Sequence, residues 1–277
     1  MLPHIDYIKY NQQWWNANLP AHLKSDFYNV GEFIDGKSSL NNIELQLLGN
    51  IEDKSILHLQ CHFGMDSISL ARMGAKVTGV DFSDKAIDAA KKLVQKTGVH
   101  ADFICCDVYS LPEHLDAHFD IVFTSYGVIG WLPDIQKWAY LVSKYIQPGG
   151  SFIMAEFHPV VWMFDNNFNT IAYPYFQDAP IIETQEGSYA NRDTDEKHTN
   201  ISWNHGLSEV INNLIHQGLY ISAFQEYDYS PYNCFQDMIE IAPGRFQIKR
   251  LGNKIPMVYS IKAEKKVFTN RSATRGI

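Results

Sequence analysis

Two aspartates, each closing a short apolar run, are the residues of this chain whose type and spacing best suit ligand chemistry. Val77–Val80 ends in Asp81, and Ala101–Cys106 ends in Asp107. An acidic residue at the tip of a second parallel strand can accept hydrogen bonds from both hydroxyls of a ribose. Upstream lies Ile56–Leu59, broken by His58, then a tight loop, Gln60-Cys61-His62-Phe63-Gly64, and an amphipathic segment closed by Gly74. Strand, loop, helix and strand in that order form the unit of a parallel sheet whose nucleotide sites lie at the carboxyl ends of its strands. Glycine at position 64 removes a Cβ where backbone would pass close to a ligand. The separation of Gly64 from Asp81 accommodates one helix and one strand.

The elements that must hold these residues follow from periodicity and punctuation. Ser83 is a good N-cap, Asp84 suits the positive end of a helix, and Ala86, Ile87, Ala90, Leu93 and Val94 make its buried stripe before Gly98 ends it. Phe119–Thr124 reads as a continuous apolar strand from the middle of a parallel sheet, delivering Ser125, Tyr126 and Gly127 to the same ligand side. Pro133-Asp134 opens a helix carrying Ile135, Trp138, Leu141, Val142, Tyr145 and Ile146, and Pro148-Gly149-Gly150 stops it before a strand over Ser151–Glu156. After Gly206, Leu207, Val210, Ile211, Leu214 and Ile215 mark a helix closed by Gly218. Strands follow over Leu219–Gln225 and Met257–Lys262, joined by a loop with Pro231 and Pro243. Two strands joined without a helix form an antiparallel final pair.

In this order the motifs resemble the class I S-adenosylmethionine-dependent methyltransferases that act on small molecules. That family's first motif carries an acid on the strand and a Gly-x-Gly-x-Gly loop. Here His58 stands for the acid, Gln60 and His62 for two glycines, and Gly64 remains. Asp107 matches the aspartate that accepts from the adenine amino group, and Pro148-Gly149-Gly150 matches the turn into the fifth strand. The resemblance covers residues 55–158 well and 204–263 loosely. It implies an α/β fold: a seven-stranded, mostly parallel sheet with helices on both faces and an antiparallel last strand. It also implies S-adenosylmethionine as cofactor and methyl transfer to a small-molecule acceptor by in-line displacement. The implied binding set is Gln60, Cys61, His62 and Gly64 beside the methionine part, Asp81 at the ribose with Ser83 following it, Asp107 at the adenine, Phe82 and Val108 packing on the base, and Ser125 with Tyr126 towards the methionine end. His158, just past the fifth strand, and Tyr126 are the candidate catalytic residues, with His205 a rival. No metal is expected, since Cys61, His58 and His62 lack a fourth ligand. Two alternatives stay open. An NAD(P)-dependent oxidoreductase is opposed by the absent GxGxxG and by Asp107. A non-catalytic binding protein on the same fold is the other.

At 277 residues the chain suits one large α/β domain. Residues 1–50 read as a helical lid: Tyr7, Tyr10, Trp14 and Trp15 recur at helical spacing, and Ser39 caps a short helix ended by Gly49. A methyltransferase domain over 51–265 then carries an insertion at 157–202, and 266–277 is a polar tail. The insertion is rich in aromatics, among them Trp162, Phe164, Phe168, Tyr173, Tyr175 and Phe176. It forms a hairpin from Ile181–Tyr189 and Lys197–Trp203 around a turn at 191–196. Long insertions at strand ends carry specificity; contact in a homodimer is the competing use. A net charge of −8 with no Lys/Arg block argues against nucleic acid as the main partner. Four cysteines without CxxC pairing read as free thiols. With no apolar run of membrane-spanning length and no signal-peptide profile in MLPHIDYIKY, no membrane association and a cytoplasmic location are expected.

Overall fold

The computed structural model describes residues 6–176, 179–190 and 197–267. The expected turn at 191–196 and the tail beyond 267 lie outside the described residues. Seven strands form one sheet: β1 (Ser55–Leu59), β2 (Lys76–Asp81), β3 (Asp102–Cys105), β4 (Phe119–Ser125), β5 (Ile146–Phe157), β8 (Leu219–Tyr227) and β11 (Val258–Lys265). Their order is β3-β2-β1-β4-β5-β11-β8, and β11 runs antiparallel to both its neighbours. The antiparallel strand is therefore the last in the chain, as expected, but it sits second from the sheet's edge.

Side chains alternate across the sheet, as the two-residue period of a strand requires. Leu57, Leu59, Val122, Phe152 and Met154 pack on one face against α6 (Ile135–Tyr145) and α7 (Leu207–His216). Ile56, Ile121, Phe123 and Ile153 pack on the other with Leu48 of α3 (Asn42–Leu48) and Leu70 of α4 (Met65–Arg72). On that second face Ile68 of α4 also meets α5 (Asp84–Thr97), α2 (Val30–Ile34) and Leu19 of α1 (Tyr7–His22). Ser83 caps α5 as expected, its hydroxyl accepting from the Ala86 N–H at 3.0 Å, and Gly98 closes it at φ +67°. Among the described residues no helix is long and apolar enough to cross a membrane.

Two local expectations change. The cap of α3 is Asn41, in a reciprocal capping box with Glu44, because Ser39 instead turns its hydroxyl to Asp66. The segment read as a loop around Pro243 holds a hairpin, β9 (Met238–Ala242) and β10 (Arg245–Ile248), turning at Pro243-Gly244. The insertion's hairpin pairs β6 (Ile181–Glu186) antiparallel with β7 (Lys197–Ser202). Asn11 of α1 binds β7 as a strand would: its amide donates to the Ile201 carbonyl and accepts the Ile201 N–H, both at 2.8 Å. The amino-terminal helix and the insertion are thereby joined across the strand ends.

Candidate functional site

Asp81 is the last residue of β2 and is almost fully buried. One carboxylate oxygen accepts the His62 N–H at 2.8 Å and the other the Ser83 N–H at 2.9 Å, so Asp81 ties the first loop to the start of α5. Burial pushes its pKa up to about 6. Asp107, just past β3, caps a short 3₁₀ turn by accepting the Tyr109 N–H at 2.8 Å, and burial raises its pKa as well. The two carboxylates line one narrow cleft together with Gln60, Phe82, Val108 and Trp131, and α1 closes it from above with Tyr7 and Asn11. Sequence reasoning placed these aspartates on neighbouring strand tips, and the fold brings both to the same cleft.

The loop between them keeps a glycine-like backbone without the glycines. Gln60 (φ +55°) and His62 (φ +52°) both adopt the left-handed conformation that an L side chain disfavours by about 1–2 kcal/mol. Their side chains then diverge. Gln60 Nε2 donates to the Val128 carbonyl at 2.8 Å, while Oε1 is buried and has no hydrogen-bond partner among the described residues. The His62 ring packs beside Trp15, Phe63, His22 and Tyr28 and does not line the cleft. Cys61 is buried against β2: a Cβ on Gly79 would come within 2.9 Å of its sulfur, and burial pushes its thiol well up. Gly64 also has a packing reason that the sequence does not show. At φ +81° its missing Cβ would lie 2.6 Å from the Phe103 ring and 2.9 Å from Ala90, so the glycine serves helix–sheet packing.

Helix α1 is fastened over the cleft by amide side chains. Gln12 donates to the Phe82 carbonyl at 2.7 Å, Asn16 donates to Asp84 at 2.7 Å, and the Ser83 hydroxyl donates to Asn16 at 2.6 Å. Ser83 is thus buried beneath α1 and is not part of the cleft lining.

Past β4 the polar groups are more crowded. Ser125 donates to Asp66 at 2.9 Å, and Tyr126 donates to Glu44 at 2.7 Å. Burial, with Asp66 nearby, raises Glu44 to about 7. Asn41 donates to the Tyr232 hydroxyl at 2.7 Å, and the Tyr126 and Tyr232 rings meet edge to face. Glu156, buried on β5, accepts the backbone N–H groups of Gly127, Val128 and Ile129 and so fixes the loop after β4. Glu44, Asp66 and Glu156 escaped the sequence reading, because a buried acid looks like any surface acid until its partners are known. The S/T/N-x-x-E spacing from Asn41 to Glu44 was the one available signal.

His158 sits apart from this cluster. Its Nδ1 accepts the Val160 N–H at 3.1 Å, and its Nε2 lies 2.9 Å from Glu226 on β8. Both ring nitrogens are therefore engaged at the β5–β11–β8 end of the sheet. His205 is similarly occupied, between the Leu132 carbonyl at 2.7 Å and Glu209 at 3.1 Å.

Residues 56–150 match the family model of a methyltransferase domain. A ubiquinone biosynthesis O-methyltransferase of Nitrosomonas europaea is 28% identical over 137 residues, covering 50% of this chain and 54% of that protein. One from Coxiella burnetii is 30% identical over 144 residues, covering 52% and 56%. The chain spans little more than half the length of these curated relatives. Among solved structures, geranyl diphosphate C-methyltransferase from Streptomyces coelicolor superposes with a TM-score of 0.60 at 15% identity, covering 95% of this chain and all of that one. Magnesium protoporphyrin IX methyltransferase from Synechocystis, with bound S-adenosylmethionine, gives 0.54 at 13% identity over 96% and 100%. These structural likenesses are of fold. The domain match runs from β1 into β5, and the methyltransferase fold of these structures is shared over nearly the whole chain.

Proposed function

We propose that this protein transfers a methyl group from S-adenosylmethionine to a small-molecule acceptor. The observation that carries this reading is the pair of carboxylates, Asp81 and Asp107, converging on one cleft from adjacent strand tips. The cleft suits an adenosine: hydrogen-bond acceptors stand at two strand tips, and Phe82 and Val108 offer apolar surface. Asp81 would hold the ribose and Asp107 the adenine amine. Once bound, S-adenosylmethionine supplies a methyl carbon made electrophilic by its sulfonium.

The chain's own part is to position and to exclude water. Trp14, Trp15 and Trp131 form a contiguous aromatic wall next to the cleft, with ring centroids 5.0–5.4 Å apart. For a proton leaving an acceptor, the hydrogen-bonded pair Tyr126 and Glu44 is the candidate that this reading favours. Tyr126 Oη takes that proton while its own passes along the existing hydrogen bond to Glu44 Oε2. His158, held at both nitrogens by Val160 and Glu226, serves the sheet edge in this reading. The O-methyltransferase names of the relatives make a hydroxyl the first acceptor chemistry to try, and the tyrosine-rich surroundings of Tyr126 and Tyr232 suit a planar ring.

Thermal-shift screening tests the reading directly, because a ligand that binds the folded state raises apparent stability by mass action. S-adenosylhomocysteine is expected to raise the melting temperature, with NAD and NADP inert. A shift with NAD alone would favour a dinucleotide enzyme, and no shift with any of them would favour a protein that has lost the cofactor.

A further inference from the structure

We infer that Glu156 is a positioning residue for the proposed methyl transfer: its buried carboxylate holds the chain after β4 in the backbone conformation that aims the Tyr126 phenol at Glu44. The inference rests on the reading in which that pair takes up the acceptor's proton. Tyr126 still pairs with β5, its N–H donating to the Ala155 carbonyl at 2.7 Å. The chain then turns away through two consecutive left-handed residues, Tyr126 (φ +24°) and Gly127 (φ +72°). Glycine adopts a positive φ freely and tyrosine rarely does, so the surroundings must impose it. Glu156, buried near the end of β5, supplies the constraint. One carboxylate oxygen accepts the N–H groups of Gly127 and Phe157, the latter at 2.6 Å. The other accepts those of Val128 at 2.8 Å and Ile129 at 3.1 Å.

The chemistry of those four donors dictates the residue. Two carboxylate oxygens can accept all four N–H groups, as backbone donors do around an anion. A glutamine has one acceptor oxygen and would turn its NH₂ against donors, and an apolar residue would leave every N–H unpaired. Burial raises the Glu156 pKa, and the four N–H groups oppose the rise. The turn so fixed sets groups on two sides. The Gly127 carbonyl accepts the Trp131 indole N–H and the Val128 carbonyl accepts the Gln60 amide, both at 2.8 Å, so two residues of the cleft lining are held against it. On the other side Tyr126 donates to Glu44 at 2.7 Å and its ring meets Tyr232 edge to face. Glu156 is not part of the cleft lining and acts through the backbone.

NMR of the full chain with carbon-13 at the tyrosine Cζ tests this, because that carbon's shift follows the hydrogen bond of its hydroxyl. Tyr126→Phe assigns the signal. Tyr126 faces Glu44 of α3, Asp66 of α4 and Tyr232, and Glu44→Gln separates the first from the others. In the parent the Tyr126 signal is expected to step with the Glu44 proton, its midpoint at about pH 7, and the step is expected to vanish in Glu44→Gln. Glu156→Gln is expected to abolish the same step. Tyr145, whose hydroxyl donates to the Leu115 carbonyl at the far end of β5, is expected to keep its shift. A Tyr126 step retained near pH 7 in Glu156→Gln would overturn the inference and leave Glu156 a support of the fold. An equal displacement of the Tyr145 signal would overturn it too, since the loosening would then be general. If Glu156→Gln does not fold, hydrogen exchange in the parent decides: the amides of Gly127, Val128 and Ile129 are expected to exchange as slowly as those inside β4, and rates typical of a surface loop would overturn the assignment. A parent signal with no step that depends on Glu44 would bring down the Tyr126–Glu44 pair and this inference with it. S-adenosylhomocysteine binding, measured on the same parent sample, reports on the cofactor reading separately.

Discussion

At the β2 and β3 tips the polar groups are few, and backbone holds each of them: Asp81 by the N–H groups of His62 and Ser83, Asp107 by that of Tyr109. At the β4 and β5 tips acids and phenols hold one another, in the Tyr126–Glu44 and Ser125–Asp66 pairs with Tyr232 alongside, and aromatic rings from the insertion and the β9 approach crowd in. The first region is organised by short loops of one βαβα unit. The second is assembled from segments far apart in the chain, with Tyr126 meeting Glu44 on α3 and Tyr232 beyond β8. A geometry fixed by local backbone suits a ligand that never changes. One built from exchangeable side chains suits an acceptor that differs between enzymes.

The sharpest way to break the rigid side is Gly64→Ala. A left-handed alanine clashing with Phe103 and Ala90 should cost about 2–5 kcal/mol, combining backbone strain with overpacking, and a denaturant midpoint measures it. A cost below about 1 kcal/mol would show that this loop yields. On the other side, Glu44 has a folded pKa of about 7 against an ordinary 4.5. The folded chain binds that proton more tightly, so the group favours folding at acid pH and its contribution is lost as pH rises from about 4.5 through 7, on the order of 3 kcal/mol. His22 and His58, depressed to about 4 by burial, act in the opposite sense and add stability as pH rises from about 4 to 6.5. The difference between the parent and Glu44→Gln in stability against pH therefore isolates Glu44. A flat difference would mean that this carboxyl is not desolvated.

Asp81→Ala should weaken S-adenosylhomocysteine by about 1.5–3 kcal/mol in calorimetry, and unchanged affinity would remove Asp81 from the site. His158→Ala should have the smallest effect on ligand: affinity unchanged, with stability lowered by about 1–2 kcal/mol through the lost Val160 and Glu226 contacts. Loss of affinity there would place His158 closer to the cleft than its contacts indicate.

The contrast between the two regions also explains what could be read from the chain alone. Apolar runs ending in Asp81, Asp107 and Ser125, punctuated by Gly98 and Pro148-Gly149-Gly150, encode their strands and helices locally, so the succession of strands and helices along the chain was legible. The left-handed backbone at Gln60 and His62 was not, since neither residue advertises a positive φ. The packing that requires a glycine at position 64 was not legible, because Phe103 and Ala90 approach it from another strand and another helix. The β9–β10 hairpin carried a signal that went unread: alternating Ile239 and Ile241, then Pro243-Gly244. Glu44, Asp66 and Glu156 gain meaning only from partners distant in sequence, and no pattern within their own segments marks them as buried.

A crystal structure of the protein soaked with S-adenosylhomocysteine is the most direct test of where the cofactor sits. The expected density shows the ribose hydroxyls on the Asp81 carboxylate and the adenine amine at Asp107, with Tyr7 and Asn11 of α1 closing over them. A nucleoside bound elsewhere on the chain, with both aspartates facing solvent, would contradict the site and the methyl-transfer reading built on it.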